Sequence, residues 1–280
     1  MTNLVTSPYG LGESLIASLL EEGESVYTIF PSPKNVPMSY LGKPSLKYGF
    51  IRFDQDDRVE KALPRKVVNI FHIYDLFTGP FTRVFRANVT ATLSLLDWAR
   101  TIKVQQFIFI SSGDVYGDGS DILEDAEFRP RSFYGTTKSQ AETLLKYYAK
   151  FFDVKVVRVF FPFGKNYSDG YVFGIYDAVR RGESVDTEYH MISPSYACDL
   201  SGPLLQLARV KGHQKVNACG APIAVEGFIE MLKSVSSGQP KTINTGSVRL
   251  TGSNEKAKEL LNYRETPLKE ALMQSFGDRT

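Results

Sequence analysis

Gln106-Phe107-Ile108-Phe109-Ile110-Ser111-Ser112-Gly113-Asp114-Val115-Tyr116-Gly117 is an apolar run that stops at two hydroxyls and a glycine turn. The run is too continuous to have one wet face, so it reads as an inner strand of a sheet covered on both sides. Five similar runs surround it: Asn3–Thr6, Ser25–Phe30, Tyr48–Phe53, Val67–Ile73 and Lys155–Phe161. Between them lie segments of helical period. Leu11, Leu15, Ile16, Leu19 and Leu20 line one helical face that ends at Gly23. Leu93, Leu95, Leu96, Trp98 and Ala99 belong to a second helix, and a third starts near Tyr134 and carries Ala141, Leu144, Leu145 and Tyr148. Strand and helix alternating in this way predict an α/β fold with a doubly wound parallel sheet and right-handed crossovers.

Beyond Gly164 the pattern weakens. Helices are expected at Val172–Arg181, Asp199–Val210, Gly227–Ser234 and Glu255–Leu261, with short strands near Val216 and Ile243. This predicts a main domain over 1–164, receiving strand and helix returns from the C-terminal part, and a small C-terminal α/β lobe over 165–280.

Composition narrows the function. Of 280 residues 42% are hydrophobic and 23% charged, which suits a packed globule. The net charge of +2 comes without a basic run, so no nucleic-acid partner is expected. No apolar stretch approaches a bilayer span, and Pro8, Gly10 and Gly12 interrupt the N-terminal apolar run, unlike a signal peptide. Two cysteines, Cys198 and Cys219, make neither a disulfide framework nor a four-thiolate metal site. The expectation is a cytoplasmic protein with no membrane partner and no metal.

Two places carry chemistry. Thr6-Ser7-Pro8-Tyr9-Gly10-Leu11-Gly12-Glu13 joins the first strand to the first helix. Backbone N–H groups and the helix dipole favour an anion there, although Pro8 offers no N–H and Glu13 brings a carboxylate. An ordinary βα turn is the competing reading. At the second place, Tyr134 and Lys138 lie four residues apart, about 40° around one helical face. An ammonium beside a phenol is expected to lower its pKa from about 10 and fit it for proton transfer at a carbinol or carbonyl oxygen. Ser112, at the carboxyl end of an inner strand, is placed to hydrogen-bond the same oxygen; otherwise it caps a turn.

These motifs, in this order, resemble the extended short-chain dehydrogenases/reductases of the NAD-dependent epimerase/dehydratase type. Ala87-Asn88-Val89-Thr90-Ala91-Thr92-Leu93-Ser94-Leu95-Leu96 is similar to the family's Asn-Val-x-Gly-Thr-x-x-Leu-Leu helix, with Ala91 for glycine. Ser111 to Gly117 resembles its Ser-Ser-x-x-Val-Tyr-Gly segment, Tyr134 to Lys138 its Tyr-x-x-x-Lys, and Val157 to Gly164 its Leu-Arg-x-x-Asn-x-Tyr-Gly strand. Ser193 to Leu200 and Val216 to Gly220 are similar to the C-terminal lobe. The resemblance implies a Rossmann-like domain binding NAD or NADP and a substrate lobe for a sugar or nucleotide-sugar. It implies Tyr134 as acid/base, Lys138 as its partner and ribose ligand, and Ser112 as substrate anchor. Gly10 and Gly12 would cradle the diphosphate, and Asp54 and Gln55 would lie beside adenine. Hydride would pass between substrate and nicotinamide. A homodimer through the helices Asn88–Ala99 and Tyr134–Tyr148 is also implied.

The chain departs from the family at several positions. Ser7 and Glu13 replace the outer glycines, and Phe30 stands where a carboxylate would bind the adenosine ribose, which with Ser32 and Lys34 leans toward NADP. His72-Ile73-Tyr74-Asp75 replaces His-x-Ala-Ala, bringing a tyrosine and a carboxylate beside the expected cofactor. Phe161 and Ile192 replace an asparagine and an arginine that would contact a sugar nucleotide. His72 reads as a core histidine and Asp114 as a turn former. Three readings stay open: an NAD(P)-dependent epimerase or keto-reductase, a non-catalytic regulatory relative, and a catalyst using Tyr134 and Lys138 without a dinucleotide.

Overall fold

Strands apolar on both faces need helices above and below. The computed structural model of the chain, which describes residues 2–56, 59–165, 167–236 and 238–277, supplies them. In chain order the elements are β1 (Thr2–Val5), α1 (Leu11–Glu21), β2 (Ser25–Phe30), β3 (Leu46–Phe50), β4 (Asn69–His72), α2 (Phe81–Phe85), α3 (Ala91–Ile102), β5 (Gln106–Ser112), β6 (Gly119–Ile122), α4 (Phe133–Tyr148) and β7 (Asp153–Val159). There follow β8 (Pro162–Phe163), α5 (Tyr171–Arg181), β9 (Val185–Ile192), β10 (Ser195–Tyr196), α6 (Ser201–Arg209), β11 (Gln214–Ala218), β12 (Ile223–Ala224), α7 (Val225–Ser236), β13 (Ile243–Gly252), α8 (Glu255–Leu261) and α9 (Leu268–Phe276). A π-helical turn, Arg86–Thr90, joins α2 to α3.

The main sheet runs β11-β7-β5-β4-β1-β2-β3, every neighbouring pair parallel. The chain works outward from β1 to β3, then returns to β4 on the other side of β1. The strand order therefore reverses between β1 and β4, and the crevice at their carboxyl ends is where such sheets bind ligands. On one face Leu15, Ile16 and Leu19 of α1 pack with Leu204 and Leu207 of α6 and Leu261 of α8. On the other, Leu95 and Leu96 of α3 meet Ala141 and Leu145 of α4 over Phe107 and Phe109 of β5. Each such leucine contributes roughly 1.5–3 kcal/mol by leaving water.

A second sheet, β12-β9-β13-β6, with α5, α7 and α9 builds the C-terminal lobe around Tyr176, Phe228, Leu232 and Phe276. β11 leaves that lobe and completes the main sheet beside β7. One buried ion pair fixes α4 in place. Arg158 of β7, 1% exposed, donates from Nε and Nη2 to the Glu142 carboxylate at 2.9 and 2.7 Å, and from Nη1 to Tyr116 and the Glu124 carbonyl.

The expected strands and helices recur with shifted ends. β3 begins at Leu46, two residues before the expected run, and Phe53 leaves the strand to fill the core from a turn. β6, β9 and α9 are not foreseen in the residue pattern. β9 alternates polar and apolar residues irregularly because one side of it faces the cleft described next.

Candidate active site

A tight turn is needed to bring α1 back over β1, and two glycines permit it. Gly10 has φ +54°, and a Cβ on Gly12 would lie 1.8 Å from the Ser7 carbonyl oxygen. Gly12 N–H donates to the Tyr9 carbonyl at 2.9 Å, whereas Leu11 N–H points at the Tyr167 hydroxyl, 3.4 Å away. The Tyr167 ring covers Gly10 so closely that a Cβ there would meet its Cε2 at 2.7 Å. Burial raises the Tyr167 pKa, so the phenol stays protonated.

Three rings close around Phe30, which is fully buried: Tyr9, Tyr40 and Tyr48 approach it edge-on with centroids 5.8–6.1 Å away. Asp54 accepts two hydrogen bonds from Arg83, at 2.9 Å from Nε and 2.5 Å from Nη2. Gln55 is exposed, its N–H donating to the Arg52 carbonyl. Neither Asp54 nor Gln55 lines the main cleft.

That cleft, about 640 Å³, opens at the carboxyl ends of β1, β4 and β5 and is closed on its far side by β9. Ser112 ends β5 and caps the turn Gly113–Val115 by accepting from Asp114 N–H, while its own hydroxyl donates to Asp114 Oδ2 at 2.9 Å. Tyr189 of β9 donates to the other Asp114 oxygen at 3.3 Å. Asp114 is thus more than a turn former. Burial raises its carboxyl pKa, against the pull of those two hydrogen bonds. Next to it, the Ser111 hydroxyl is buried with no partner.

Ser132 caps α4 by accepting from Gly135 N–H at 2.9 Å, and the helix then carries Tyr134 into the cleft and Lys138 beneath it. Lys138, 1% exposed, donates to the Ile110 carbonyl at 2.6 Å and to Asp75 Oδ2 at 3.2 Å. Tyr134 donates to the same Asp75 oxygen at 2.5 Å. The expected lowering of the phenol pKa is therefore reversed. Burial first, then the Asp75 charge and hydrogen bond, push the Tyr134 pKa well above 10, with Ser112 pulling weakly the other way. The ammonium, 5.9 Å from the ring centroid, is already paired with Asp75 and cannot offset this.

His72 is a core histidine, as its setting in the sequence suggests. Thr6 Oγ1 accepts from Ile73 and Tyr74 N–H, so its proton goes to His72 Nδ1 at 3.0 Å. Thr92 Oγ1 donates to the Asn88 carbonyl and so accepts from Nε2–H at 2.8 Å. Burial, with Lys138 nearby, lowers its pKa to about 3, and the ring is neutral.

Gly10, Ser112 and Tyr134 thus meet on one cleft, with Lys138 below and Gly12 inside the turn, while Asp54 and Gln55 stand apart. The bridging role of Asp75 and the cover provided by Tyr167 are missed in the sequence. The exchange of small residues for Tyr74-Asp75 was the one visible signal. Arg180 and Arg181 pair with Asp177 at the end of α5 and do not line the cleft. Among the described residues no cluster of three His, Cys, Asp or Glu side chains is placed to hold a metal, and no helix is long and apolar enough to cross a membrane.

This architecture has known relatives. UDP-glucose 4-epimerase of Erwinia amylovora is 31% identical over 188 residues, covering 60% of this chain and 55% of that protein. The chain thus matches little more than half the length of that relative. A 4-hydroxy-2-methyl-3-oxo-4-farnesyl-3,4-dihydroquinoline-1-oxide ketoreductase of Stigmatella aurantiaca is 28% identical over 247 residues, covering 83% and 72%. The crystal structure of UDP-glucuronic acid 4-epimerase from Bacillus cereus with NAD superposes with a TM-score of 0.85 at 22% identity, covering 99% of this chain and 96% of that one. The family profile described as NAD dependent epimerase/dehydratase matches residues 10–188, and the chain belongs to that family.

Proposed function

We propose that the protein is an NAD(P)-dependent oxidoreductase of its family, an epimerase or keto-reductase, that works at a carbinol or ketone of a sugar-like substrate with Tyr134 as the proton-transfer group. The observation that carries this reading is the convergence of Ser112, Tyr134 and Lys138 on one cleft at the carboxyl ends of the parallel strands. The residues present fit a dinucleotide at two points. Gly10 and Gly12 keep the tight turn, and Leu11 N–H faces the cleft with only a phenol oxygen as acceptor, a place a phosphate oxygen would take. Lys138, beneath the cleft, is the residue that would approach the ribose at the other end of such a ligand. Residues 1–164 would hold the cofactor and 165–280 most of the substrate. NAD is the cofactor in the Bacillus cereus complex; Phe30 lacks a carboxylate for the ribose, which leaves NADP equally open here.

When bound, a reduced nicotinamide supplies the hydride. Tyr134, protonated across the neutral range, gives its proton to the carbonyl oxygen as negative charge grows there. Ser112 would donate to the same oxygen by turning its one hydroxyl proton from Asp114 to the substrate. Asp75 holds both Tyr134 and Lys138 through one oxygen and so fixes their spacing. The phenol is held in its protonated form, the form that donates in the reductive direction, and the phenolate left behind takes a proton back in the reverse one. The name of the Stigmatella relative, a ketoreductase, supports the reductive choice.

Phe81, Phe85, Leu93 and Tyr147 leave apolar surface on α2, α3 and α4, which supports a homodimer through these helices. The free thiols of Cys198 and Cys219 suit the cytoplasm. The test is calorimetric titration with NAD⁺, NADH, NADP⁺ and NADPH. Micromolar binding of at least one is expected; no binding at millimolar concentration would overturn the proposal. The reading as a non-catalytic relative has one observation of its own, the Tyr167 ring lying over Gly10, and that titration separates the two.

A further inference from the structure

We infer that Asp114 is a positioning residue with two settings: as the carboxylic acid it donates from Oδ2 to Ser112 and turns the serine proton into the cleft, and as the carboxylate it takes that proton back and disarms Ser112. This rests on the proposed function, in which a carbonyl oxygen beside Tyr134 receives the Ser112 hydrogen bond. A hydroxyl oxygen accepts two hydrogen bonds and donates one. Ser112 Oγ accepts the Asp114 N–H at 3.2 Å and lies 2.9 Å from Asp114 Oδ2. With Asp114 ionised, the one serine proton is spent on Oδ2, and Oγ turns a lone pair toward the substrate. With Asp114 protonated, its hydroxyl fills the second lone pair of Oγ, and the serine proton is left to point at the carbonyl oxygen. Asp114 keeps its proton throughout, since Tyr134 supplies the one that the substrate oxygen takes.

Which carboxyl oxygen bears the proton is set by the other lobe. Tyr189 of β9 donates to Oδ1 at 3.3 Å, and its ring is held by Phe161 and Tyr171, each with its centroid 5.1 Å away. Burial and the Asp114 charge raise the Tyr189 pKa, so this donor keeps its hydrogen. With Oδ1 engaged as an acceptor, the acid hydrogen belongs on Oδ2, the oxygen that faces Ser112. The charges around the group favour the acid. Asp114 faces Glu188 from β9, Asp75 from beyond β4 and the Tyr134 phenol from α4. The two cations beside these groups are already paired, Arg131 with Glu188 and Lys138 with Asp75. β13, which also packs on this turn, brings only Arg249, exposed to solvent. Burial adds to the repulsion and raises the carboxyl pKa, against the pull of the two hydroxyls.

The experiment is infrared difference spectroscopy of the full chain, wild type minus Asp114→Asn, titrated with acid and base. The carboxylic-acid band should persist above the ordinary aspartate midpoint of about 3.9 and give way to carboxylate as pH rises. Ser112→Ala removes a donor to the charged form, so the midpoint should move to higher pH. An ordinary midpoint, or one unmoved by Ser112→Ala, would overturn the inference. With dihydroxyacetone as probe and the dinucleotide that binds as hydride source, turnover should fall as pH rises through the infrared midpoint, well below the Tyr134 limb. Asp114→Leu should cost roughly 10-fold or more in kcat. Asp114→Asn, whose amide donates to Ser112 at every pH, should recover most of that loss and remove the fall. A fall that persists in Asp114→Asn, or no recovery over Asp114→Leu, would overturn the inference. A wild type that binds a dinucleotide but leaves the probe unreduced counts against the proposed function alone, and the infrared titration, which needs neither ligand, then decides the role of Asp114.

Discussion

Replacing Tyr167 with alanine should tighten dinucleotide binding. The ring covers Gly10, and its hydroxyl occupies Leu11 N–H, the donor a phosphate oxygen would need. A dinucleotide must displace both contacts before it binds, so its apparent affinity is reduced by the free energy that holds Tyr167 down. At 3.4 Å the hydrogen bond sits at the weak end of its class, about 0.5–1 kcal/mol. The ring edge resting on Gly10 hides roughly 40 Å² of apolar surface, about 1 kcal/mol at 25 cal/mol per Å². Together these amount to about 1.5–2 kcal/mol, a factor of roughly 10–30 in Kd. Calorimetric titration of wild type and Tyr167→Ala with NADH and NADPH measures it directly. Tyr167→Phe loses only the hydroxyl and should gain about 2–5-fold. An unchanged Kd for Tyr167→Ala would mean that the ring costs the ligand nothing. A weaker one would mean that the ring stacks on the ligand instead of competing with it, and either result refutes the reasoning.

Tyr134→Phe should lower turnover by roughly 10²-fold or more with ligand affinity nearly unchanged, and steady-state kinetics showing wild-type kcat would remove Tyr134 from the mechanism. Asp75→Asn should shift the pH profile in a defined direction. The protonated phenol is the donor, it is lost as pH rises through its pKa, and Asp75 holds that pKa up, so the alkaline limb of kcat should move to lower pH. An unmoved limb would show that Asp75 does not act on Tyr134. Glu142→Met would leave Arg158 buried without its carboxylate, and urea unfolding should register a loss of about 3–5 kcal/mol. A loss below about 1 kcal/mol would mean that Tyr116 and the Glu124 carbonyl satisfy the guanidinium alone.

What could be read from the sequence was local, and what could not was set by distant partners. β5 announces itself because burial on both faces of the main sheet leaves Phe107–Ile110 a solid apolar stretch, whereas β7 carries Lys155 and Arg158 buried among its valines, each held by hydrogen bonds. β9, Val-Asp-Thr-Glu-Tyr-His-Met-Ile, borders the open cleft and carries no such signal. Tyr134 and Lys138 are legible for the same reason as β5: a four-residue spacing on a capped helix puts both on one face whatever the rest of the chain does. Spacing cannot report a third charge arriving from 59 residues away. Asp75 comes from just beyond the end of β4, accepts hydrogen bonds from the tyrosine hydroxyl and the lysine ammonium on one oxygen, and leaves the expected activated base as a phenol held protonated. The exchange of a small residue for a carboxylate is visible at residue 75, and by itself it places only a charge beside the expected cofactor. Its larger consequence depends on which atoms it meets: with the ammonium shared with Asp75, the Tyr134 phenol is held protonated instead of being eased toward the phenolate. The protonation state of the pair is therefore set by a residue beyond a strand end, which the Tyr-x-x-x-Lys spacing does not carry.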